Sequence, residues 1–317
     1  MKAVRSWTDF PNSLRNACIA IGNFDGVHLG HRHVLDQTRA KAKELGVPHG
    51  ILTFEPHPRE FFAPSAVPFR LEHASTKRQR LAGCGLESLF ELPFNAELAK
   101  TSAKDFARNV LCDGFAFSHI FVGANYRFGK NREGSVSDLI DFGEKFGFGV
   151  TISELLTRSD RTISSTRIRE CLSEGRLRDV ADLLGRRYSI QGEAHHNDRE
   201  SQQFGMTVAS VSQTGIHRPK SGVYAAYADV LEGPYKGRYQ TIATISSEAL
   251  ADVNTVQCKA HIHDLLGDLC GTSISVELIE YLHKVPSSGL TQTASNEIFH
   301  SKVPRSLKRF SHPCMAD

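Results

Sequence analysis

Apolar residues fall along this chain in two rhythms, and the place where one gives way to the other divides it. Up to Gly185, short unbroken apolar runs alternate with longer segments whose apolar positions recur every three or four residues, the spacing of one helix face. The runs at 17–21, 50–54, 89–92, 119–122 and 149–152 predict strands, and the segments at 30–45, 75–81, 103–111, 136–146, 165–174 and 177–184 predict helices. Ser164 is placed to cap the helix that follows it, and Gly46 and Gly185 are placed as helix stops. Pro56 and Pro58 predict an extended loop after the second strand. Strand and helix in alternation predict an α/β fold, a doubly wound parallel sheet covered on both faces, with ligands at the carboxyl ends of its strands.

From Tyr188 onward the rhythm shortens to β-type runs at 222–230, 239–245, 256–262 and 273–278, separated by Gly, Pro and Asp. These predict a small β-barrel or sandwich. The expected domains are therefore 1–186 and 187–317, and the polar, basic tail from Ser287 is assigned no structure.

Length and composition fit this division. A chain of 317 residues can bury two cores, and 40% hydrophobic with 23% charged residues is the balance of a folded protein. No run is long and apolar enough to predict a signal peptide or a membrane span. The 7 cysteines are odd in number and scattered, with no Cys-x-x-Cys pair, which predicts a reducing cytoplasm and no structural zinc. A net charge of +3 is too weak to predict a nucleic-acid partner, although a small basic excess suits phosphate ligands.

The chemistry gathers at the strand ends. Gly22-Asn23-Phe24-Asp25-Gly26-Val27-His28-Leu29-Gly30-His31 joins the first strand to the first helix. His28 and His31 stand one turn apart at a helix start, where N–H groups and the dipole favour anions. Gly30 lets a ligand approach the backbone, and two imidazoles can hydrogen-bond phosphoryl oxygens, so the segment reads as a phosphate cradle. A second helix start, Arg161-Thr162-Ile163-Ser164-Ser165-Thr166-Arg167-Ile168-Arg169, sets hydroxyls among guanidiniums. It reads either as a second phosphate site or as an N-cap with a solvated basic face. In Phe121-Val122-Gly123-Ala124-Asn125-Tyr126-Arg127-Phe128-Gly129 the Asn125 carboxamide can orient a nucleotide or phosphate. Thr53-Phe54-Glu55-Pro56-His57-Pro58 offers aromatic and rigid surfaces suited to a planar ring.

Taken in this order, these segments and Leu183-Leu184-Gly185-Arg186-Arg187-Tyr188-Ser189-Ile190-Gln191-Gly192 resemble the prokaryotic bifunctional riboflavin kinase/FMN adenylyltransferase (FAD synthetase) family. The resemblance spans nearly the whole chain and is strongest from Ile19 to Gly192. It implies direct transfer of AMP from Mg-ATP to FMN, giving FAD and pyrophosphate, with FMN and ATP as substrates and Mg2+ carried by ATP. It implies that His28 and His31 stabilise the reacting phosphates, that Ser164, Ser165, Thr166 and Arg169 hold the leaving pyrophosphate, and that Arg161 assists them. Gly22, Phe24, Asp25 and Asn125 are expected around ATP, and Phe54, Pro56, His57, Pro58, Phe62 and Asn125 around the flavin. It names no protein ligand for a metal. An oligomer is compatible with it.

The second domain departs from the family. Where the family has Gly-Phe-Pro-Thr-Ala-Asn, this chain has Gly205-Met206-Thr207-Val208-Ala209-Ser210, which removes one hydroxyl and shortens a carboxamide expected to hold Mg-ATP. Asn197, Ser201 and Gln202 replace the family's glycine and arginine upstream, and Lys259 stands where a catalytic glutamate is expected. A charged ammonium accepts no proton, and His261 or His263 as a substitute base would lack the metal site. The expectation is a retained kinase fold without kinase activity. The alternatives are a catalytically silent flavin or nucleotide sensor, a transferase with another donor or acceptor, and an enzyme that retains both activities.

Overall fold

The computed structural model describes residues 1–158, 161–196, 201, 205–246, 255–285 and 290–309. It forms two compact units, one of Met1–Ala66 with Ala74–Ile163 and the other of Val67–His73 with Ser164–Asp317. This grouping falls before the expected 186/187 division, because two helices of the 165–184 region pack with the second sheet rather than the first.

In the first unit, β1 (Lys2–Val4), β2 (Cys18–Ile21), β3 (His49–Glu55), β4 (Ser88–Pro93), β5 (His119–Gly123) and β6 (Gly149–Ser153) form one parallel sheet in the order β1-β4-β3-β2-β5-β6. The central strands carry apolar residues at consecutive positions, as in Cys18–Ile21 and Ile51–Leu52, because both of their faces are covered. Cys18, Ala20, Ile51 and Leu89 pack with Leu35 and Ala42 of α1 (Leu29–Leu45) and Leu81 of α3 (Ala74–Gly83), with α2 (Pro58–Phe62) lying between those two helices in the chain. The alternate residues Ile19, Ile21, Leu52 and Phe90 pack with Phe106, Ala107 and Val110 and with Leu139 of α6 (Val136–Phe146). Between β4 and β5, α4 (Ala96–Lys100) and α5 (Ala103–Asp105) are followed by a wider π-type turn at Phe106–Cys112. The chain winds outward from β2 in both directions, so the gap between β2 and β5 is the topological switch point.

One local expectation changes. Pro58 opens helix α2 instead of prolonging a loop, since the first helical position needs no N–H and suits proline's fixed φ. His57 caps that helix, its ring accepting the Arg59 N–H while its own N–H goes to Glu60. The short β1 and the hairpin of β7 (Thr157–Arg158) with β8 (Arg161–Thr162) were too brief to announce themselves in the pattern.

The second unit carries α7 (Ser165–Glu174), α8 (Leu177–Leu184) and an antiparallel sheet of β9 (Tyr188–Glu193), β10 (His195–His196), β11 (Thr207–Thr214), β12 (Gly222–Val230), β13 (Gly237–Ser246), β14 (Thr255–Ile262) and β15 (Ser273–His283). Its order is β10-β11-β14-β13-β12-β15-β9. The sheet curls until β9 meets β11: Gln213 donates to the Gln191 carbonyl, and a Cβ on Gly192 would lie 2.8 Å from Val211. This is a nearly closed barrel, the geometry that removes exposed strand edges. The tail expected to lack structure forms α9 (Gln292–Ser301) and α10 (Val303–Arg309). Ile298, Phe299, Val303 and Leu307 pack on Val223, Ala225, Ile242 and Ile279 of the barrel, so the tail's few apolar residues suffice to anchor it.

Candidate active site

The phosphate-cradle segment leaves β2 at the switch point. The Gly22 N–H donates to the Leu52 carbonyl at 3.1 Å, and the chain then turns through left-handed conformations at Phe24 (φ 51°) and Val27 (φ 40°). A β-branched residue at positive φ is strained, and Val27 is held there by burial, at 1% exposed. Asp25 and His28 are buried with it. His28 caps α1, its Nδ1 accepting the His31 backbone N–H at 3.2 Å. When neutral, His28 then carries its proton on Nε2, a hydrogen-bond donor. The rings of His28 and His31 stack with centroids 3.6 Å apart and 13° between planes, and Phe24 lies 5.1 Å from His31. A Cβ on Gly30 would come within 3.2 Å of the His28 ring and 3.4 Å of the Ile163 carbonyl.

His31 is half-buried, and among the described residues its Nδ1 has no hydrogen-bond partner. Burial pushes its pKa well below the ordinary imidazole value, helped by the neighbouring His28 and then Lys77. Lys77 was not singled out in the sequence. It reaches from α3 beneath the turn, 3% exposed, with its ammonium 2.6 Å from Glu55 Oε1 and 3.4 Å from both the Asn23 carbonyl and Thr53 Oγ1. One lysine in an otherwise polar helix carries no sequence signal of burial.

Beside the cradle, the ends of β3 and β4 carry aromatic residues. Phe62 lies 5.3 Å from Phe61 and 5.7 Å from Phe94, and Phe94 lies 5.9 Å from Phe54. Phe62 is 65% exposed, so the array offers a free aromatic edge. Phe61 and Phe94 were missed because each reads as an ordinary apolar residue. Pro56 is exposed and Pro58 half-buried next to them. Asn125 is exposed just after β5, where Tyr126 closes a turn back to the Gly123 carbonyl. The Phe54 segment, the cradle and Asn125 thus share the carboxyl rim of one sheet.

Arg161 is exposed in β8 of the first unit. The residues that follow Ile163 belong to the second unit. There Ser164 caps α7 by accepting the Arg167 N–H at 3.3 Å, Ser165 is half-buried and Thr166 is exposed. Arg169 donates to the Phe69 carbonyl and lies 5.2 Å over the Phe69 ring. Among the described residues no cluster of three or more His, Cys, Asp or Glu could hold a metal ion, and no helix is long and apolar enough to cross a membrane.

In the barrel, the run that stands where the family has Gly-Phe-Pro-Thr-Ala-Asn continues into β11. Val208 is fully buried beside Met206 and pairs with His261, while Ser210 pairs with Lys259. Directly paired residues of antiparallel strands share a face, and Ile242, which also pairs with His261, packs under α9 and α10. Burial, with His263 and Lys259 nearby, lowers the His261 pKa to about 3. Asn197 and Gln202 lie outside the described residues; Ser201 Oγ accepts the Val208 N–H at 3.0 Å.

Comparison with known proteins gives two family matches, FAD synthetase over residues 10–167 and riboflavin kinase over residues 184–287. The bifunctional riboflavin kinase/FMN adenylyltransferase of Pseudomonas fluorescens is 32% identical over 277 residues, 87% of this chain and 88% of that protein. Its counterpart in Escherichia coli (strain K12) is 31% identical over 280 residues, 88% of each chain. A crystal structure titled macrolide-efflux protein from Streptococcus pneumoniae shares the fold, with a TM-score of 0.79 at 21% identity over 95% of this chain and 98% of that one. With both matched regions in this order and relatives aligned over most of their length, the chain belongs to the bifunctional riboflavin kinase/FMN adenylyltransferase family.

Proposed function

We propose that this protein is an FMN adenylyltransferase, converting FMN and Mg-ATP to FAD and pyrophosphate, and that its riboflavin kinase activity is lost. The observation that carries the first part is the stacked His28–His31 pair at the start of α1, on the same sheet rim as the Phe54, Phe61, Phe62 and Phe94 array. A triphosphate needs donors and positive potential; an isoalloxazine needs an aromatic edge. Both stand side by side on one strand-end surface.

In this reading an oxygen of the FMN phosphate attacks the α-phosphorus of ATP, a new P–O bond forms, and the α–β bridge breaks to release pyrophosphate. No covalent intermediate on the protein is involved, and Mg2+ enters as part of the nucleotide substrate. The attacking phosphate oxygen is already anionic near neutral pH, so the protein's task is to align it and to stabilise charge. His28, donating from Nε2, and His31 hold phosphoryl oxygens; the N-terminus of α1 adds its N–H groups. Asp25, Gly22 and Phe24 shape the turn, and Asn125 orients nucleotide or phosphate. Ser164, Ser165, Thr166 and Arg169, with Arg161, take the departing pyrophosphate, as the family resemblance implies. Phe54, Pro56, Pro58 and Phe62 border the flavin, His57 supporting them as the cap of α2. Residues 1–186 would serve this reaction, and 187–317 would form the kinase-like part. The scattered cysteines, free wherever they are described, support a cytoplasmic setting.

For the second part, Val208 fills with methyls a position where the family's threonine offers a hydroxyl, and Lys259 stands two residues before His261 on the same strand face. His261, with its pKa near 3, is a weak base. Purified protein is incubated with Mg-ATP and either riboflavin or FMN, and the products are separated. FAD from FMN, with neither FMN nor FAD from riboflavin, is the expected result. FMN formed from riboflavin overturns the kinase reading; no product from FMN overturns the transferase reading.

A further inference from the structure

We propose that Lys77 is a positioning residue for adenylyl transfer, setting the shape of the Asn23–Asp25 turn from beneath and so placing His28 and His31. The proposal rests on the function proposed above, since it assigns Lys77 to that same site. An ammonium has three donors. Among the described residues Lys77 Nζ meets three groups: Glu55 Oε1 at 2.6 Å, the Asn23 carbonyl at 3.4 Å and Thr53 Oγ1 at 3.4 Å. Thr53 in turn donates to the same Asn23 carbonyl at 3.3 Å. Two donors from α3 and β3 therefore converge on one carbonyl, and the peptide they fix leads directly into Phe24 at φ 51°.

This convergence matters because the segment holds two strained positions. Phe24 and Val27 both sit in the left-handed region, and the imidazole stack begins one residue after Val27. Fixing the Asn23 carbonyl selects one course for the chain between β2 and α1. Lys77 also acts through space: its positive charge opposes protonation of His31. His31 faces His28 and Phe24 from its own segment and Lys77 from α3, with Glu55 of β3 paired to that lysine and Asp25 buried in the same turn. A lysine this buried would not be kept for a surface ion pair. Its desolvation is offset only if the pair is well satisfied, and here it is satisfied by the groups that shape the cradle.

The test uses full-length protein with Lys77→Met and with the double change Lys77→Met/Glu55→Gln. The double change avoids a lone buried carboxylate and keeps the test open if the single variant fails to fold. FAD formation is measured as kcat and as KM for FMN, and His31 is titrated in ligand-free protein by NMR of labelled histidine. Misplacing a reacting group by an ångström can cost about 10²-fold, so the folded double variant is expected to lose about 30-fold or more in kcat with KM for FMN within about 3-fold. In the folded single variant, which removes only the positive charge, the His31 titration midpoint is expected to rise, while the split between kcat and KM in the double variant reads the positioning itself. Unchanged kcat in a folded variant, or an unmoved His31 midpoint, overturns the proposal. If wild-type protein makes no FAD, the functional reading fails separately, and the backbone amide NMR shifts of Asn23 to His31 then decide: shifts unchanged in the folded double variant overturn the role of Lys77.

Discussion

His28 accepts the backbone N–H of His31 through Nδ1 at 3.2 Å while the two imidazoles stack 3.6 Å apart. One side chain thus ends the preceding turn, caps α1 and presents a ring to the site. Capping and catalysis can be separated by substitution. Asparagine is a strong N-cap, so His28→Asn should retain the melting temperature and lose about 10²-fold in FAD formation. His28→Ala should lose the same activity and, in addition, about 1 kcal/mol of stability. Equal activity in wild type and His28→Asn would remove His28 from the reaction.

His31→Ala leaves the cap acceptor in place, because His28 bonds the main chain of residue 31 rather than its ring. Its expected signature is therefore a loss of about 10²-fold in turnover with α1 intact by circular dichroism. Loss of helix content instead would assign the ring to packing against Phe24.

Stability should fall in mild acid. His31 and His261 are both held below the ordinary value of 6.5, the latter at about 3. Between the folded and unfolded values the unfolded chain binds the extra proton, so each contribution is complete above pH 6.5 and declines as pH falls below it. The limiting slope is about 1.4 kcal/mol per pH unit for one proton. Urea midpoints measured across that range should drop toward acid, and His261→Gln should make the drop shallower; parallel curves for the two proteins would place the acid sensitivity elsewhere.

Phe62 is 65% exposed, so Phe62→Ala should leave stability within about 0.5 kcal/mol. The expected effect is on flavin: KM for FMN rises by about tenfold while KM for ATP holds, since loss of an aromatic contact is worth about 1 kcal/mol or more. A change in KM for ATP of equal size would place the array against the nucleotide.

Phe299 sits 7% exposed in the cluster that joins α9 to the barrel and stacks on His263 at 3.8 Å. Phe299→Ala should cost about 3–5 kcal/mol. A melting temperature unchanged by this substitution would mean that the two terminal helices contribute nothing to the unit's stability.

The strand–helix alternation up to Gly185 is legible because its central strands are buried on both faces and its longer helices show their period; Val136–Phe146 in the first unit and Ser165–Glu174 in the second each have a clear period and a capping serine. The tail was illegible for the opposite reason. Its helices hold one or two apolar residues per turn, and only the barrel face they meet makes Ile298 and Phe299 count. Thr207–Thr214 is absent from the predicted β runs although Val208 and Val211 carry strand character, because Ser210, Ser212 and Gln213 interrupt the apolar pattern. In the candidate site, histidines at a helix start announce themselves by chemistry and spacing, whereas Lys77, Phe61 and Phe94 acquire meaning only from what the fold brings beside them.

The close approach at Gly30 ties activity to volume rather than to charge. A single methyl there would press on the His28 ring from 3.2 Å and on the Ile163 carbonyl from 3.4 Å, whereas one on Gly83, at the end of α3, meets nothing within 4 Å. In a saturation library the two positions should therefore part company: substitutions at 83 would be nearly silent, and those at 30 would form a graded series in which each added carbon displaces an imidazole. Side-chain size at one residue would then serve as a dial for how far the cradle tolerates being moved.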